Sequence, residues 1–496
     1  MDNKQHGRGH TIEVVLDRLP FGPEDRSGAQ GKAGNPPVPD GVSQRMLTRD
    51  VIMLAWPSLL ESILTQLTSI ADQIMVGRIP GEMGVIALAA VGLSYQPKFL
   101  LMTAIQALNV GATAVIARYR GQQNRERANL VFRHAMLINF ILSILIMVAG
   151  LFASDWMVRF MGTNISEETI RLGVQYLKIQ FWGIIPLCLT FTMTAALRGT
   201  GDSRTPMIYN TAANIANLIL NYILIYGKFG APALGVAGAS LATILGQTVA
   251  FLIALWRVLR KKAYVYLSFR EPFSFDSTIV SNMVRVGAPA MAEQLLMRAG
   301  IIIYSRTVTG LGDLKFATHQ VLMSIQSFSF MLGNSFSSSA TTLVGQSLGK
   351  RRYDMAVIYM KQTRKLGRIA ALIVMVLIAV FRRSLMGLFT TDAEVIAIGC
   401  EIMFLIALSQ SLQADQFIVS GGLRGAGDTK FTAYVTMITV LGVRSLTAIL
   451  LINVLDWGLW GAWIALLVDQ ILRTALIGMR FRNGKWKRVK FKEKIS

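Results

Sequence analysis

The sequence predicts an all-α integral membrane protein with twelve transmembrane helices arranged as two pseudo-symmetric six-helix lobes. Of its 496 residues, 53% are hydrophobic and 16% are charged, whereas about a quarter of the residues of an average soluble domain are charged. Apolar stretches of roughly 20 residues recur, each long enough to cross about 30 Å of hydrocarbon as a helix. Sequence motifs also recur, in the same order, in the two halves of the chain.

The apolar stretches predict twelve spans separated by short polar loops. The ninth is interrupted by Arg382 and Arg383, whose side chains must extend to the interface or face protein if that span is to reach full length. The predicted spans are 51–77, 86–116, 131–153, 173–196, 205–226, 235–256, 280–309, 315–347, 369–389, 396–420, 431–454 and 459–479.

Basic residues cluster between the spans. They occupy the loops at 118–127, 257–262 and 350–352 and the segment 485–492, all on one side of the predicted membrane. Under the positive-inside rule that side is the cytoplasm. The formal charge of +22 therefore indicates topology rather than nucleic-acid binding, and we expect a multi-pass protein of the cell membrane with both termini in the cytoplasm.

Composition divides the chain into five parts. Residues 1–49 are rich in Gly, Pro, Asp and Arg, and we expect a disordered cytoplasmic tail there. The other predicted parts are an N-terminal lobe at 50–262, a cytoplasmic linker at 263–278, a C-terminal lobe at 279–480 and a basic cytoplasmic tail at 481–496.

The two lobes are predicted to be repeats. Pro57-Ser-Leu-Leu-Glu61 recurs 232 residues later as Pro289-Ala-Met-Ala-Glu293, and Leu197-Arg-Gly-Thr-Gly-Asp202 recurs 226 residues later as Leu423-Arg-Gly-Ala-Gly-Asp428. Because six spans form each half, both halves enter the membrane from the same side. Parallel repeats of this kind are typical of transporters that rock two bundles about a central site.

Acidic residues inside the spans are candidates for function, since a charge in hydrocarbon costs about 2.5–3.5 kcal/mol or more. Few internal bases such as Arg298 accompany them. The internal acids are Glu61, Asp72, Glu293, Asp415 and Asp469.

Asp72 is the most informative of these acids. Asp72 and Asn221 each precede the outer end of their span by five residues, so both should lie roughly 7–8 Å below it. Asn217 is one helical turn before Asn221, and Thr243 lies at a similar depth in span six. A carboxylate with two amide oxygens and a hydroxyl suits sodium, while the carboxylate alone could carry a proton. The alternative is that the Asn and Thr side chains only hydrogen-bond helices together.

Glu61 and Glu293 occupy equivalent places in the repeat, each four residues after a proline that should kink its helix. We expect these acids to line a central cavity and attract cationic substrates. The alternative is that they cap the carbonyl gap left by the proline or pair with Arg298. Asp415 is a further cavity candidate, as is Asp469, and the sequence indicates no partner for either.

Residues 49–480 resemble the multidrug and toxic compound extrusion (MATE) family. The resemblance implies export of cationic, often aromatic, compounds in exchange for Na+ or H+, an ion site in the N-terminal lobe and a functional acid at Glu293. The implied ion-site residues are Asp72, Asn217, Asn221 and Thr243. The motifs that carry the resemblance are Pro57…Asp72-Gln-Ile-Met-Val-Gly77, the two Leu-Arg-Gly-x-Gly-Asp loops, Asn217-Leu-Ile-Leu-Asn221, Gly238-Ala-Ser-Leu-Ala-Thr243 and Pro289…Glu293-Gln294.

The chain departs from the family pattern in the tenth span. Some members carry an Asp where this chain has Gln413. Asp415 follows two residues later and is turned about 200° around a helix. Gln413 and Asp415 are therefore candidates for the substrate cavity or for coupling, and not a matched replacement for the family's acid.

The sequence thus predicts a secondary active antiporter that exports organic, cationic drugs or toxins. The alternative is a flippase of lipid-linked glycans with a related two-lobe architecture, which would favour a strongly cationic cavity. We expect no enzymatic activity, because no nucleophile–base constellation is evident. We also expect no cofactor beyond the coupling ion, no nucleic-acid partner, contact with membrane lipid and a monomeric state.

Overall fold

Long helices dominate the computed structural model, which describes residues 14–22, 36–79, 83–161, 166–261, 263–268, 273–388, 392–489 and 491. The helices are α1 (Gln44–Gly77), α2 (Met83–Gly121), α3 (Arg125–Met161), α4 (Glu167–Trp182 and Ile184–Gly199), α5 (Arg204–Tyr226), α6 (Gly235–Leu259), α7 (Ser277–Thr309), α8 (Asp313–Gly349), α9 (Tyr353–Gly387), α10 (Ala393–Gly425), α11 (Thr429–Val454) and α12 (Gly458–Arg482).

Within the described residues, ten of these helices are long and apolar enough to cross a membrane, and α4 is an eleventh as a bent pair. Its two parts meet at 53° beside Gly183, where a Cβ would lie 2.4 Å from the side chain of Ile244. α8, the twelfth helix, has 37 residues and is not among the helices that meet this length and hydropathy criterion. Each observed helix matches a predicted span. Most extend a few residues beyond it, and α9 ends at Gly387, two residues before the predicted end.

The largest difference in length concerns α9. It begins at Tyr353, 16 residues before the predicted start at 369. The charged residues in this stretch interrupt the apolar pattern but not the helix, because Arg364 and Arg368 pair with a carboxylate on α10. At the other end, the Arg382 guanidinium lies 4.3 Å from the ring centre of Phe404, so this internal base faces protein.

The described residues cluster into two compact units. The first contains Pro57–Ile116 and Asn124–Met283. The second contains the described residues from Val14 to Trp56, Ala117–Gln123 and the described residues after Met283. The start of α1 and the end of α2 therefore belong to the second unit, and the start of α7, up to Met283, belongs to the first. At these three places the units differ from the predicted lobes at 50–262 and 279–480.

The N-terminal segment at 14–22 is structured, and for these residues the prediction of a disordered tail is wrong. A short helix, Val15–Arg18, buries Val14, Val15 and Leu16 to 6% exposure or less. The Val15 amide donates to Asp50 Oδ2 at 2.8 Å, and Lys350 Nζ donates to the Leu16 carbonyl at 2.7 Å. Burial of these apolar side chains and pairing of backbone groups offset the entropy lost on ordering. The rest of the predicted tail up to residue 35 lies outside the described residues.

Candidate functional site

The predicted ion-site residues come together in the first unit. Asp72 lies on α1, Asn217 and Asn221 lie on α5, and Thr243 lies on α6. α5 and α6 approach closely at two glycines. A Cβ on Gly238 would lie 2.4 Å from the Leu224 carbonyl oxygen, and one on Gly246 would lie 2.8 Å from the Ala213 carbonyl oxygen. The close packing places Thr243 beside the polar face of α5.

Both asparagines donate to the Asp72 carboxylate. Asn221 Nδ2 lies 2.5 Å from Asp72 Oδ1. With its amide nitrogen towards Asp72, Asn217 donates to the two carboxylate oxygens at 3.0 and 3.2 Å, and its oxygen accepts from the Thr243 amide at 3.2 Å. We adopt this orientation because the opposite one offers only bonds of 3.4 Å to Thr243 Oγ1 and from Asn221. The carboxylate charge is therefore held by neutral donors.

The oxygens open to a cation are fewer than the sequence predicted. The Asn217 oxygen is engaged by the Thr243 amide. Asn221 Oδ1 is buried and has no hydrogen-bond partner among the described residues. Thr243 Oγ1 donates to the Ala239 carbonyl at 2.9 Å and retains lone pairs. Asp72 and Asn221 thus supply the readiest oxygens, and a sodium ion would need Thr243 or a rotated amide in addition.

Sequence reasoning missed Tyr176 and a polar network that leads away from it. The Tyr176 carbonyl accepts from Ser240 Oγ at 2.9 Å. Gln180 donates to Ser240 Oγ at 3.0 Å and accepts from Lys98 Nζ at 2.5 Å. Lys98 is the single charge in the predicted span 86–116, and this isolation was the signal that could have identified it.

The repeated acids are held by the repeated arginines. Arg198 Nη2 lies 2.8 Å from Glu61 Oε2, and Arg424 Nη2 lies 2.7 Å from Glu293 Oε1. Both arginines come from the Leu-Arg-Gly-x-Gly-Asp motifs. A neutral donor completes each site: Asn210 for Glu61 at 2.8 Å and Thr432 for Glu293 at 2.9 Å. Each motif therefore positions an arginine in the last turn of a helix. Glu293 pairs with Arg424 rather than with Arg298.

Asp415 also forms ion pairs that the sequence did not reveal. Arg364 contacts both of its carboxylate oxygens at 2.8 and 2.5 Å, and Arg368 contacts them at 3.0 and 2.7 Å. Two residues earlier on α10, Gln413 is fully buried, and neither of its side-chain polar atoms has a hydrogen-bond partner among the described residues. Gln413 therefore offers an amide to a ligand, whereas Asp415 is already paired.

Asp469 is enclosed between two arginines. It is fully buried and pairs with Arg444, while Arg473 Nη2 lies 2.8 Å from each carboxylate oxygen. Arg473 Nε also donates to Thr439 Oγ1 at 3.2 Å. The sequence count of internal bases omitted Arg444 and Arg473, although both lie within predicted spans.

The sequence-based expectation that few internal bases accompany the five acids is therefore wrong. Four of the five acids have arginine partners. For Asp72 no ion pair occurs within the described residues. Asp72 is thus the one acid of the five without a basic partner in the described part of the chain. It lies beside Asn221, as their equal distance from the outer ends of their spans predicted.

Two repeated lobes of six membrane-spanning helices are an architecture typical of membrane transporters. The sequence profile of the MatE family matches residues 57–223 and 289–450, that is, one segment in each half of the repeat. The chain belongs to the MatE family of membrane transporters.

The chain aligns with similar known proteins over most of their length. The probable multidrug resistance protein NorM of Thermotoga maritima is 30% identical over 445 residues, which are 89% of this chain and 94% of that protein. The multidrug resistance protein MdtK of Yersinia pestis is 28% identical over 389 residues, which are 78% and 84% of the two chains.

Solved structures share the fold. A MATE crystal structure in complex with MaD3S superposes with a TM-score of 0.80 at 25% identity, covering 88% of this chain and 97% of that one. An outward-facing multidrug resistance MATE transporter of the MOP superfamily gives a TM-score of 0.82 at 24% identity, covering 89% and 97%. The prediction of twelve helices in two lobes is confirmed.

Proposed function

We propose that this protein is a secondary active antiporter that exports organic, cationic drugs or toxins in exchange for Na+ or H+. The observation that carries the proposal is the Asp72 site. Its carboxylate is bonded by two neutral amides and has no basic partner within the described residues. A group in this setting can bind and release a cation without first breaking an ion pair.

Alternating access links this site to transport. In the outward-open state Asp72 binds the external ion, the substrate leaves, and the ion-bound protein returns to the inward-open state. Coupling requires that the ion bind the two states with different affinity, because equal affinity shifts no population. The names of the NorM and MdtK relatives support drug export as the direction and cargo class.

Four other residues have roles that differ from that of Asp72. Asp415 fixes Arg364 and Arg368. Glu61 and Glu293 fix the arginines of the repeated motifs, and Gln413 presents its unpartnered amide to the substrate. The proposed protein acts as a monomer. The distribution of its basic loops supports a location in the cell membrane with both termini in the cytoplasm.

Efflux from reconstituted vesicles tests the proposal. The purified chain is inserted into vesicles loaded with a fluorescent organic cation, and inward Na+ and H+ gradients are imposed separately. We expect one of the two gradients to accelerate efflux severalfold over protein-containing vesicles without a gradient. Efflux that ignores both gradients would contradict antiport, and efflux of a neutral dye at the same rate would contradict a preference for cations.

A further inference from the structure

The segment 14–22 is attached to the end of α8, in the second unit. Lys350 Nζ, directly after α8, donates to the Leu16 carbonyl at 2.7 Å. The Lys350 carbonyl accepts from the Gly22 amide at 3.0 Å. The Leu16 side chain is 2% exposed, so detachment of the segment would transfer apolar surface to water. Two hydrogen bonds and a buried leucine therefore hold the segment in place.

The same segment is bonded to α1 and α2 and, through Asp50, to α9. The Val15 amide and the Tyr359 hydroxyl of α9 both donate to Asp50 Oδ2, on α1, at 2.8 Å. Asp17 Oδ1 lies 3.1 Å from Arg120 Nη2, in the last turn of α2. The side chains of this ion pair are 21% and 15% exposed. The segment thus links parts of four helices, all of which belong to the second unit.

Two of these helices, α2 and α8, occupy equivalent places in the repeat and meet at equivalent glycines. Gly349 follows Gly121 by 228 residues, and Gln346 follows Arg118 by the same number. A Cβ on Gly121 would overlap the Gln346 carbonyl oxygen, and one on Gly349 would overlap the Arg118 carbonyl oxygen. The two backbones can touch because glycine has no Cβ. These reciprocal contacts close the two helix ends on the side of the basic loops, which we expect to be cytoplasmic.

We propose that the segment 14–22 is a clasp that holds the ends of α2 and α8 closed and must detach before the protein opens to the cytoplasm. In a transporter that rocks two parallel repeats, equivalent helices are related by an axis along the membrane normal, so opening on one side parts their ends on that side. The clasp is bonded to both ends at once, and it therefore favours the closed state by the free energy of its attachment. This inference rests on the alternating access proposed above and adds a regulatory contact to it.

Hydrogen–deuterium exchange of the full chain in detergent, measured by mass spectrometry, tests the clasp. Leu16→Ala removes buried apolar surface and should raise the exchange rate of the segment 14–22 by about tenfold or more. The amides at the ends of α2 and α8 should exchange faster by a similar factor, because they open together with the clasp, whereas those at the outer end of α5 should not change. Unchanged exchange at the ends of α2 and α8 would overturn the proposal, whether or not the segment is released.

Asp17→Asn tests the clasp without a change in apolar packing. The variant loses the ion pair with Arg120, and exchange at the segment and at the two helix ends should rise about threefold. Val38→Ala and Asp40→Asn are the matched controls, because they make comparable changes in exposed side chains of the same N-terminal region. Both should exchange as the wild type does. An equal rise in the controls would attribute the effect to a general disturbance of this region and contradict a clasp.

Thermal unfolding of the same samples distinguishes release of the clasp from loss of the fold. We expect Leu16→Ala and Asp17→Asn to unfold cooperatively, as the wild type does. If Leu16→Ala is unfolded, Asp17→Asn decides the test: faster exchange at both helix ends would support the clasp, and wild-type exchange there would overturn it. No ion gradient is involved, so a negative result leaves antiport unaffected, whereas efflux that ignores both gradients would contradict antiport without altering the exchange result.

Discussion

In the first unit Asp72 lies among amide groups, whereas in the second unit Asp469 lies between two guanidinium groups. The offset of 232 residues between Pro57 and Pro289 aligns Asp72 with Tyr304. The Tyr304 hydroxyl donates to the Ala462 carbonyl at 3.0 Å, and Arg444 lies over the Tyr304 ring at 5.9 Å. The repeat thus preserves a polar centre in each unit but differs in its charge balance.

The difference shows which centre suits ion exchange. A carboxylate enclosed by two arginines must lose strong, desolvated contacts before it can take another cation. A carboxylate that accepts hydrogen bonds from neutral amides loses much weaker contacts when it binds a cation. We infer that Asp72 serves coupling and that Asp469 serves the stability of the second unit.

The largest effect is expected for Asp469→Asn. This change leaves Arg444 and Arg473 buried around a neutral side chain, at a cost of about 3–5 kcal/mol. Thermal unfolding of the purified protein in detergent measures it. Asp72→Asn is the matched control and should change stability by less than about 1 kcal/mol, because its partners are neutral. Equal losses in the two variants would remove the distinction between the centres.

The repeated ion pairs should also differ, by a smaller amount. The Glu293 side chain is 2% exposed and that of Glu61 is 13% exposed. Water can therefore solvate the arginine left behind when the Glu61 pair is broken better than the one left behind when the Glu293 pair is broken. We expect Glu293→Gln to destabilise the protein by about 3 kcal/mol and Glu61→Gln by about 1–2 kcal/mol, again by thermal unfolding. The reverse order would show that burial does not govern these pairs.

Asn221→Ala sharpens the comparison by identifying the ion. The side chain supplies an unpartnered oxygen and donates to Asp72. If sodium is coupled, loss of the oxygen should raise the sodium concentration for half-maximal efflux about tenfold. If protons are coupled, loss of the donor makes the carboxylate bind its proton more tightly, and half-maximal efflux should move about one unit to higher pH.

Asn214→Ala is the control for that experiment. Asn214 lies on the same helix and donates to Thr65 Oγ1 at 3.2 Å, outside the Asp72 site. It should leave both the sodium and the pH titration unchanged. A shift equal to that of Asn221→Ala would indicate a general disturbance of α5.

Thr243→Val is expected to have the smallest effect. The change removes the hydroxyl that donates to the Ala239 carbonyl but keeps the Thr243 amide that donates to Asn217. Loss of one neutral hydrogen bond corresponds to roughly a threefold change in apparent ion affinity. The efflux titration used for Asn221→Ala measures it. A change of more than tenfold would make Thr243 a principal ligand.

The sequence predicted the spans and the proximity of Asp72 and Asn221 well, because both follow from distance along a helix. Apolar runs define the spans, and equal counts from the outer end place Asp72 and Asn221 at one depth. Counting residues does not reveal which way a helix is rotated or which neighbour it meets. The pairing of Asp415 with Arg364 and Arg368, and of Asp469 with Arg444, depends on that rotation and could not be predicted.

Two other features were missed for different reasons. The buried run Val14–Leu16 is too short to stand out in a segment rich in Gly and Pro, and its order depends on distant partners such as Asp50 and Lys350. Lys98 was visible as a lone charge in an apolar stretch. Its neutral partner Gln180 lies on another helix, where sequence spacing carries no information.

Ion-gradient-dependent efflux by Asp72→Asn, beside the wild type in the same vesicles, tests the central claim most directly. The substitution keeps the size of the side chain and removes the charge that would bind the coupling ion. We expect folded protein that retains passive exchange of the fluorescent cation and loses acceleration by either gradient. Gradient-driven efflux at the wild-type rate would contradict the assignment of coupling to Asp72.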